Sequence, residues 1–552
     1  MESGSQRGRS RIADAAPWVA AAAIAAAVVA VYGQTLDFEF VRLDDPEYVA
    51  NPMVARGLDP ESLRWAFTTR HLANWHPLTW LSFMLGVESH GPGPAGHHAV
   101  NLTLHLVNSL ILLGLLCSAS GRLGPSALVA ALFALHPLHV ESVAWVSERK
   151  DVLSTCFGFL AMAAWLGYAR RGGLARYALV ALCFVLCLLA KAMLVTLPVL
   201  LLLLDYWPLG RLGRGGASPL RLVAEKLPLL ALSLAVSAVT LGVQVIDARV
   251  APLDAAANAV VSYAVYLRKA FWPSGLGVLY PHPGLPSEGG VPLTALAIGA
   301  SLALLVGISL GVAFARRRYL WTGWLWYLGA LVPVIGLVQA GRQGMADRYT
   351  YVPLVGVFLM LAFGGAELVE KWRRRQPQAG RIAAAGALAA LAALSVAAHR
   401  QARVWRDSVS LFEHSLAVMP ANPTLHYNLG NTYGSAGRLD DATQQYRLAL
   451  AVKPRHQKAH YNLASILLAQ RRVDEAIEHL RRALAIDPDY ARAHHKLANA
   501  LHGSGRLEEA VHHYRETLRV APGNAAARRD LEIALAELGP AARGDATPPP
   551  GS

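Results

Sequence analysis

Two adjacent carboxylates, Asp44 and Asp45, sit within residues 33–96, a stretch between apolar runs that is far longer than a connection requires. A carboxylate held within hydrogen-bond reach of an incoming hydroxyl accepts its proton, which is the work of a general base. The same dipeptide followed by Pro46 also makes an ordinary turn, because Asp readily bonds its own backbone. The stretch carries Asp37, Glu39 and Glu47 among Phe38, Phe40, Trp65, Phe67, Trp75 and Trp80. That aromatic content predicts a packed segment lying on a membrane, and ordered loops of such length usually carry function.

A second set of ionisable residues gathers at what reads as the same membrane face. His136, His139, Glu141, Glu148, Arg149, Lys150 and Asp151 fall between the third and fourth apolar runs. Lys191 follows at the next turn on that side, and Arg342, Asp347, Arg348 and Tyr349 precede the run opening at Tyr351. Charges at a membrane boundary are costly and default to a functional reading. Arg149, Lys150, Lys191 and Arg348 suit a phosphate, arginine offering a fork and lysine a point charge, and a lipid phosphate is the natural ligand there. His76, His136, His139, Glu141, Arg342 and Asp347 are read as further substrate-binding candidates. The competing structural reading pairs neighbours, Glu148 with Arg149 and Asp347 with Arg348, as topology anchors. The histidines beside Glu141 raise the question of a metal, yet no spacing matches a zinc motif such as HExxH; no cofactor is assigned, and a divalent cation is left open.

These residues must be positioned by membrane helices. The 552 residues are 54% hydrophobic and only 16% charged, with mean hydropathy +0.33, whereas soluble domains carry about a quarter charged residues. An ordinary cytosolic enzyme is excluded. Apolar runs open at Ala15 and near His98, Pro125, Val152, Leu174, Ala192, Leu227, Leu293, Leu320, Tyr351 and Ile382, predicting about eleven spans of ~20 residues each. The net charge of +14 resides in short Lys/Arg groups between runs, such as Arg170/Arg171/Arg176 and Arg316/Arg317/Arg318, which positive-inside topology explains without nucleic acid. On that rule the basic N-terminus, residues 1–14, is cytoplasmic and the region after residue 400 lies outside. Ser262 to Gly275, with Arg268 and Lys269 at its centre, reads as interfacial or re-entrant. The four cysteines lie inside apolar runs and frame neither disulfides nor a metal site.

After residue 399 the pattern changes. Pro420, Pro454, Pro488 and Pro522 are spaced 34 apart, the tetratricopeptide period, and Leu429, Gly430, Tyr433, Ala442, Tyr446 and Ala449 fit one unit, with equivalents in the next two. Residues 400–538 therefore predict an α-solenoid: a half-repeat cap from Trp405 to Met419, three repeats and a closing helix. Residues 539–552, with Pro548 to Pro550, read as disordered. The inner helices present Tyr427, Asn428, Asn431, Tyr461, Asn462, His495 and Asn499 toward a concave groove suited to a protein or peptide backbone.

Leu43-Asp44-Asp45-Pro46, Trp75-His76-Pro77-Leu78-Thr79, Leu135-His136-Pro137-Leu138-His139-Val140-Glu141, Glu148-Arg149-Lys150-Asp151, Ala190-Lys191-Ala192-Met193, Leu204-Asp205-Tyr206-Trp207-Pro208 and Ala346-Asp347-Arg348-Tyr349, followed by the repeats, resemble the transmembrane and tetratricopeptide-repeat O-mannosyltransferase family over nearly the whole chain. Lys191-Ala192 departs from a Lys-Pro of relatives. The resemblance implies a C-superfamily glycosyltransferase fold over residues 15–399, a polyprenyl-phosphate sugar donor, inverting transfer, and a catalytic acid in the first outward loop, here Asp44 or Asp45. In that scheme Asp45 takes the acceptor's proton while Arg149, Lys150, Lys191 or Arg348 stabilises the departing phosphate. The expectation is an all-α, multi-pass membrane glycosyltransferase, in a bacterial inner membrane in preference to an endoplasmic-reticulum one, its repeats recruiting a protein acceptor. The alternative is a non-enzymatic membrane scaffold whose repeats assemble envelope proteins.

Overall fold

The computed structural model describes residues 2–212, 216–244, 250–337 and 343–539, with side chains from Ala15 onward. Arg342, the basic side chains of the N-terminus and the tail beyond Gly539 lie outside the described residues. Two compact units form, one from residues 1–286 and 290–418, the other from 287–289 and 419–552.

The first unit is a helical bundle with one small antiparallel pairing of Tyr280–Pro281 with Gln343–Met345. Each anticipated apolar run corresponds to a helix, but fewer qualify as spans than the eleven expected. Among the described residues six helices are long and apolar enough to cross a bilayer, or seven if Leu123–Leu135 and Pro137–Ala144, bent by 52°, count as one. The shortfall has a physical cause. Leu174–Ala190 and Ala192–Tyr206 are shorter apolar helices, Arg318–Leu331 has 14 residues, and Leu354–Arg373 ends in charges. A full crossing needs about 20 apolar residues.

Arg149–Arg171 turns back into Leu174–Ala190 through Gly172 and Gly173, whose φ values of 62° and 97° favour glycine. This hairpin brings the start of the first helix beside Lys191, where Ser154 Oγ donates to the Lys191 carbonyl at 3.1 Å. Gly323 and Gly356 face each other so closely that a Cβ on either would collide with the other's carbonyl oxygen. That contact seats the helix Leu354–Arg373, and with it the preceding turn Asp347–Thr350. Of the segment expected to be interfacial or re-entrant, Ser262 to Phe271 forms the C-terminal part of one continuous helix, Pro252–Phe271, and its Lys269 is buried where it pairs with Asp347 at 2.7 Å.

The second unit is built from helical hairpins Pro423–Ser435 with Leu439–Val452, Gln457–Ala469 with Val473–Ile486, and Ala491–Gly503 with Leu507–Val520, closed by Ala525–Leu538. The small and apolar signature residues Leu429, Ala442, Ala464, Ala476, Ala498 and Ala510 are buried between helices. Each hairpin thereby covers an apolar face it could not bury alone. Ser408–Val418, expected to cap the repeats, clusters with the first unit.

Candidate functional site

The two loop carboxylates do different work. Asp45 opens the short helix Asp45–Val49 and is 1% exposed. Its Oδ2 accepts from Val41 N at 3.0 Å, and its Oδ1 accepts from Ser147 N at 2.9 Å and from Ser147 Oγ. It staples the long loop to the turn Val146–Glu148. Burial pushes its carboxyl up to about 6 against the pull of those hydrogen bonds. Asp44 is half-buried, makes no side-chain bond to the helix it precedes, and its charge reaches Lys150 and Tyr48. Of the pair, Asp45 accepts three hydrogen bonds from Val41 and Ser147, whereas Asp44 makes none to the helix it precedes. The sequence left the general base as Asp44 or Asp45.

Tyr48, one turn past Asp44, is buried against Trp80, their rings 4.6 Å apart, and burial raises its hydroxyl to about 12. Its OH is hydrogen bonded to His76 Nε2 at 3.1 Å. Burial, then the Lys150 and Lys191 charges, hold His76 well below the usual imidazole range, so it is neutral.

The cations meet around one acid. Glu148 lies 3.1 Å from Lys150 Nζ, 3.1 Å from Lys191 Nζ and 3.2 Å from Arg348 Nε. Lys191 also pairs with Asp151. Arg348 Nη1 donates to Glu141 Oε1 at 2.5 Å, and its backbone N donates to Glu141 Oε2 at 2.9 Å. Three acids and three bases drawn from four segments thus compensate one another, which is what lets them be buried.

Neither expected neighbour pair forms. Arg149 spends its donors on neutral groups: Nε on Asn101 Oδ1 at 3.1 Å, Nη1 on the Ser82 carbonyl at 3.1 Å, and Nη2 on the His97 carbonyl and Nδ1 at 3.0 Å each. Its guanidinium lies 4.2 Å from the Phe83 ring centroid. It clamps helices together and is fully buried, so it does not join the cations expected at a phosphate. Asp347 pairs with Lys269 and accepts from Tyr280 OH at 2.7 Å. His136 Nε2 donates to the Ala270 carbonyl at 3.0 Å and His139 Nδ1 to the Phe133 carbonyl at 2.7 Å, both as buried ties between backbone segments. Among the described residues no group of three or more His, Cys, Asp or Glu is arranged to hold a metal ion.

Beside the ion network opens a cavity of about 500 Å³. Lys150, Lys191, His76, Asn74, Gln343 and Tyr349 give it a polar lining; Met193, Val195, Leu241, Val332, Val334 and Leu337 give it an apolar one. An amphipathic ligand with an anionic group matches both. Sequence alone offers Glu148 only a structural pairing with Arg149 and Trp75 only a place in a packed aromatic segment, and it offers Ser147 and Tyr48 no role. Glu148 stood inside the charged run, but its three partners are set by tertiary packing alone.

In the repeats, the expected groove residues partly engage one another. Asn431 Oδ1 accepts from Tyr446 OH and from Asn462 Nδ2, both at 2.8 Å, and Asn462 Nδ2 also reaches Tyr427 OH at 3.3 Å. Asn499 Oδ1 accepts from Tyr514 OH at 2.7 Å, His495 pairs with Asp530 at 2.8 Å, and Tyr461 is buried. The Asn462 and His495 contacts tie neighbouring units together and the Tyr446 and Tyr514 bonds join the two helices of one unit, so a continuous open ladder of amides does not form.

Residues 427–491 and 467–531 match family models of the tetratricopeptide repeat. The chain is 26% identical over 503 residues to human protein O-mannosyl-transferase TMTC4, covering 78% of this chain and 66% of that one. It is similar to the protein O-mannosyl-transferases. Protein O-mannosyl-transferase F38B6.6 of Caenorhabditis elegans is 24% identical over 432 residues, 74% of this chain and 59% of the relative. Human protein O-mannosyl-transferase TMTC1 is 36% identical over 175 residues, 29% of this chain and 19% of the relative. The chain therefore matches between about a fifth and two thirds of these O-mannosyl-transferases' own length. Among solved structures, a crystal structure of MamA is 26% identical with a TM-score of 0.24, over 24% of this chain and 77% of that one.

Proposed function

We propose that this protein is an integral-membrane glycosyltransferase. It transfers a mannose-like sugar from a polyprenyl-phosphate donor to a hydroxyl of a protein acceptor on the non-cytoplasmic side. The observation that carries this reading is the amphipathic cavity with Lys150 and Lys191 in its wall, close to the loop that bears Asp44. The relatives' printed names agree with it.

In the reaction, the acceptor oxygen attacks the anomeric carbon as the bond from that carbon to the phosphate oxygen breaks. The bonding pair leaves with the phosphate, and the acceptor's proton passes to Asp44. Lys150 and Lys191 neutralise the charge growing on the leaving group. One displacement inverts the anomeric centre and needs no covalent enzyme intermediate. Glu148 and Arg348 act through others: Glu148 orients both lysines, and Arg348, anchored on Glu141, orients Glu148. The Lys/Arg distribution supports a cytoplasmic N-terminus and external repeats in a bacterial inner membrane, where half-buried Asn428 offers an amide to an acceptor chain. A scaffold would have no use for the cavity.

The test is release of lipid phosphate by purified protein offered a panel of polyprenyl-phosphate sugars with a hydroxyl-bearing peptide. Turnover with one sugar, lost in Asp44→Asn, is expected. No turnover with any donor, in protein whose folding is verified by melting, overturns the reading.

A further inference from the structure

The segment that feeds the cavity is strained. Leu72 and Ala73, two consecutive residues with side chains, adopt φ values of 57° and 53°, a left-handed conformation normally left to glycine. Such outliers persist only where surrounding structure enforces them, and they concentrate at ligand sites. Here the enforcing contacts are explicit: Asn74 Nδ2 donates to the Leu72 carbonyl at 2.8 Å, and His71 N donates to Thr69 Oγ1 at 3.1 Å. Pro77 then starts the helix Pro77–His90. Between turn and helix, Asn74, Trp75 and His76 all line the cavity.

Trp75 is fixed in a particular way. Its one polar atom, Nε1, donates to the Phe67 carbonyl at 3.0 Å, a partner within its own loop. What it can offer the cavity is therefore aromatic carbon. The face of an indole carries negative quadrupole density, which does not favour a phosphate, and a prenyl chain already has Leu241, Val332 and Leu337 elsewhere in the wall. A pyranose has the complementary chemistry: an apolar C–H face for the ring, and hydroxyls at its rim for amide and imidazole groups such as those of Asn74 and His76.

Resting on the donor reading above, we infer that Trp75 is the platform for the donor's sugar ring, held in place by the Leu72–Ala73 turn. It forms a hexose subsite separate from the lysines that take the phosphate. The sugar therefore selects the donor through Trp75, and the lipid phosphate binds with or without it.

The experiment measures binding of a polyprenyl-phosphate hexose and of bare polyprenyl phosphate to the full-length protein in detergent. Trp75→Ala should weaken the glycosylated lipid by on the order of tenfold, the scale of one lost stacking contact, and leave the bare lipid phosphate unchanged. Trp75→Phe should keep most of the affinity, and Lys191→Ala should weaken both ligands together. Melting of each variant verifies the fold. Equal losses for both lipids in Trp75→Ala, or no loss for either, overturn the platform alone. Wild-type protein that binds neither lipid overturns the donor reading and the platform with it.

Discussion

The helix Arg149–Arg171 carries a buried ionic cluster near each end. Near its start, Glu148, Asp151 and Glu141 compensate Lys150, Lys191 and Arg348. Sixteen residues on, Trp165 Nε1 donates to Asp205 Oδ1 at 3.0 Å; Asp205 also pairs with Arg211 at 3.0 Å and with Lys226, and Glu225 pairs with Arg211 at 2.9 Å. At 1.5 Å per residue the two clusters are roughly 24 Å apart, most of a bilayer's hydrocarbon core. Both are charge-balanced, so balance does not separate function from structure. Access does: the Lys226 side chain is 0% exposed, whereas that of Lys191 is 20% exposed and borders the cavity. A cation can serve a substrate only if part of it remains uncommitted to the fold.

That contrast can be broken most sharply at the carboxylates. Asp44→Asn is expected to lower turnover by about 10² to 10⁴ with melting unchanged, since it removes a general base. Asp45→Asn should show its main effect in melting, because it loosens the staple to Ser147. Turnover assays paired with thermal melting check both, and an inert Asp44→Asn would put the base elsewhere.

Next is the closed cluster. Removing one partner of a buried pair strands the other charge and costs about 3 to 5 kcal/mol, so Lys226→Met should depress melting severely while surviving folded protein keeps its kinetics. Lys191→Ala should do the opposite, raising the donor KM with a modest stability loss. If both variants behave alike, the distinction by access is wrong.

The smallest expected effect lies in the repeats and depends on pH. His460 and His494 donate from Nε2 to the carbonyls of Pro454 and Pro488 at 3.0 and 2.9 Å, which leaves each Nδ1 to accept from His479 or His513 at 2.9 and 3.0 Å. The equivalent contact of the first repeat is His426 with Gln445 at 2.7 Å. Burial, then the facing imidazole, push His479 and His513 down to about 4. A histidine whose folded pKa lies below its unfolded value of about 6.5 contributes stability that is complete above that pH and is lost as pH falls toward 4. Acid should therefore open the second and third repeats before the first, as hydrogen exchange across that range would reveal. His479→Gln with His513→Gln should flatten the profile.

Legibility from sequence followed the range of the interactions. The 34-residue period was plain because each repeat is specified locally and by its neighbours. Three of the four cations, Lys150, Lys191 and Arg348, do meet, and charges near a membrane stand out, yet their partners were not legible: Glu148 meets Arg348 across 200 positions, and Arg149, adjacent in sequence, turns the other way to Asn101. Asp44 and Asp45 could not be told apart, since the difference lies in Ser147, a residue with no sequence signal of its own. The span count fell short because local apolarity does not reveal where a helix breaks, as between Ala190 and Ala192.

The Asp45 staple has a consequence for traffic. A loop fastened at Asp45 to Ser147, and again where Trp75 bonds Phe67 and His76 bonds Tyr48, is held against swinging aside as a lid. A ligand with a long prenyl chain then needs another door, and Ser237, Thr240 and Leu241 in the lining of the cavity belong to the helix Leu227–Val243. Leu234 and Leu241 on that helix are 71% and 49% exposed, as residues facing acyl chains would be. Thr240→Trp should accordingly slow lipid association and dissociation by the same factor in stopped-flow binding and leave Kd unchanged, and a loss of affinity without slower dissociation would argue against the route. On the proposed donor reading, entry by this door would be sideways, from the bilayer itself, with the membrane as the protein's substrate reservoir.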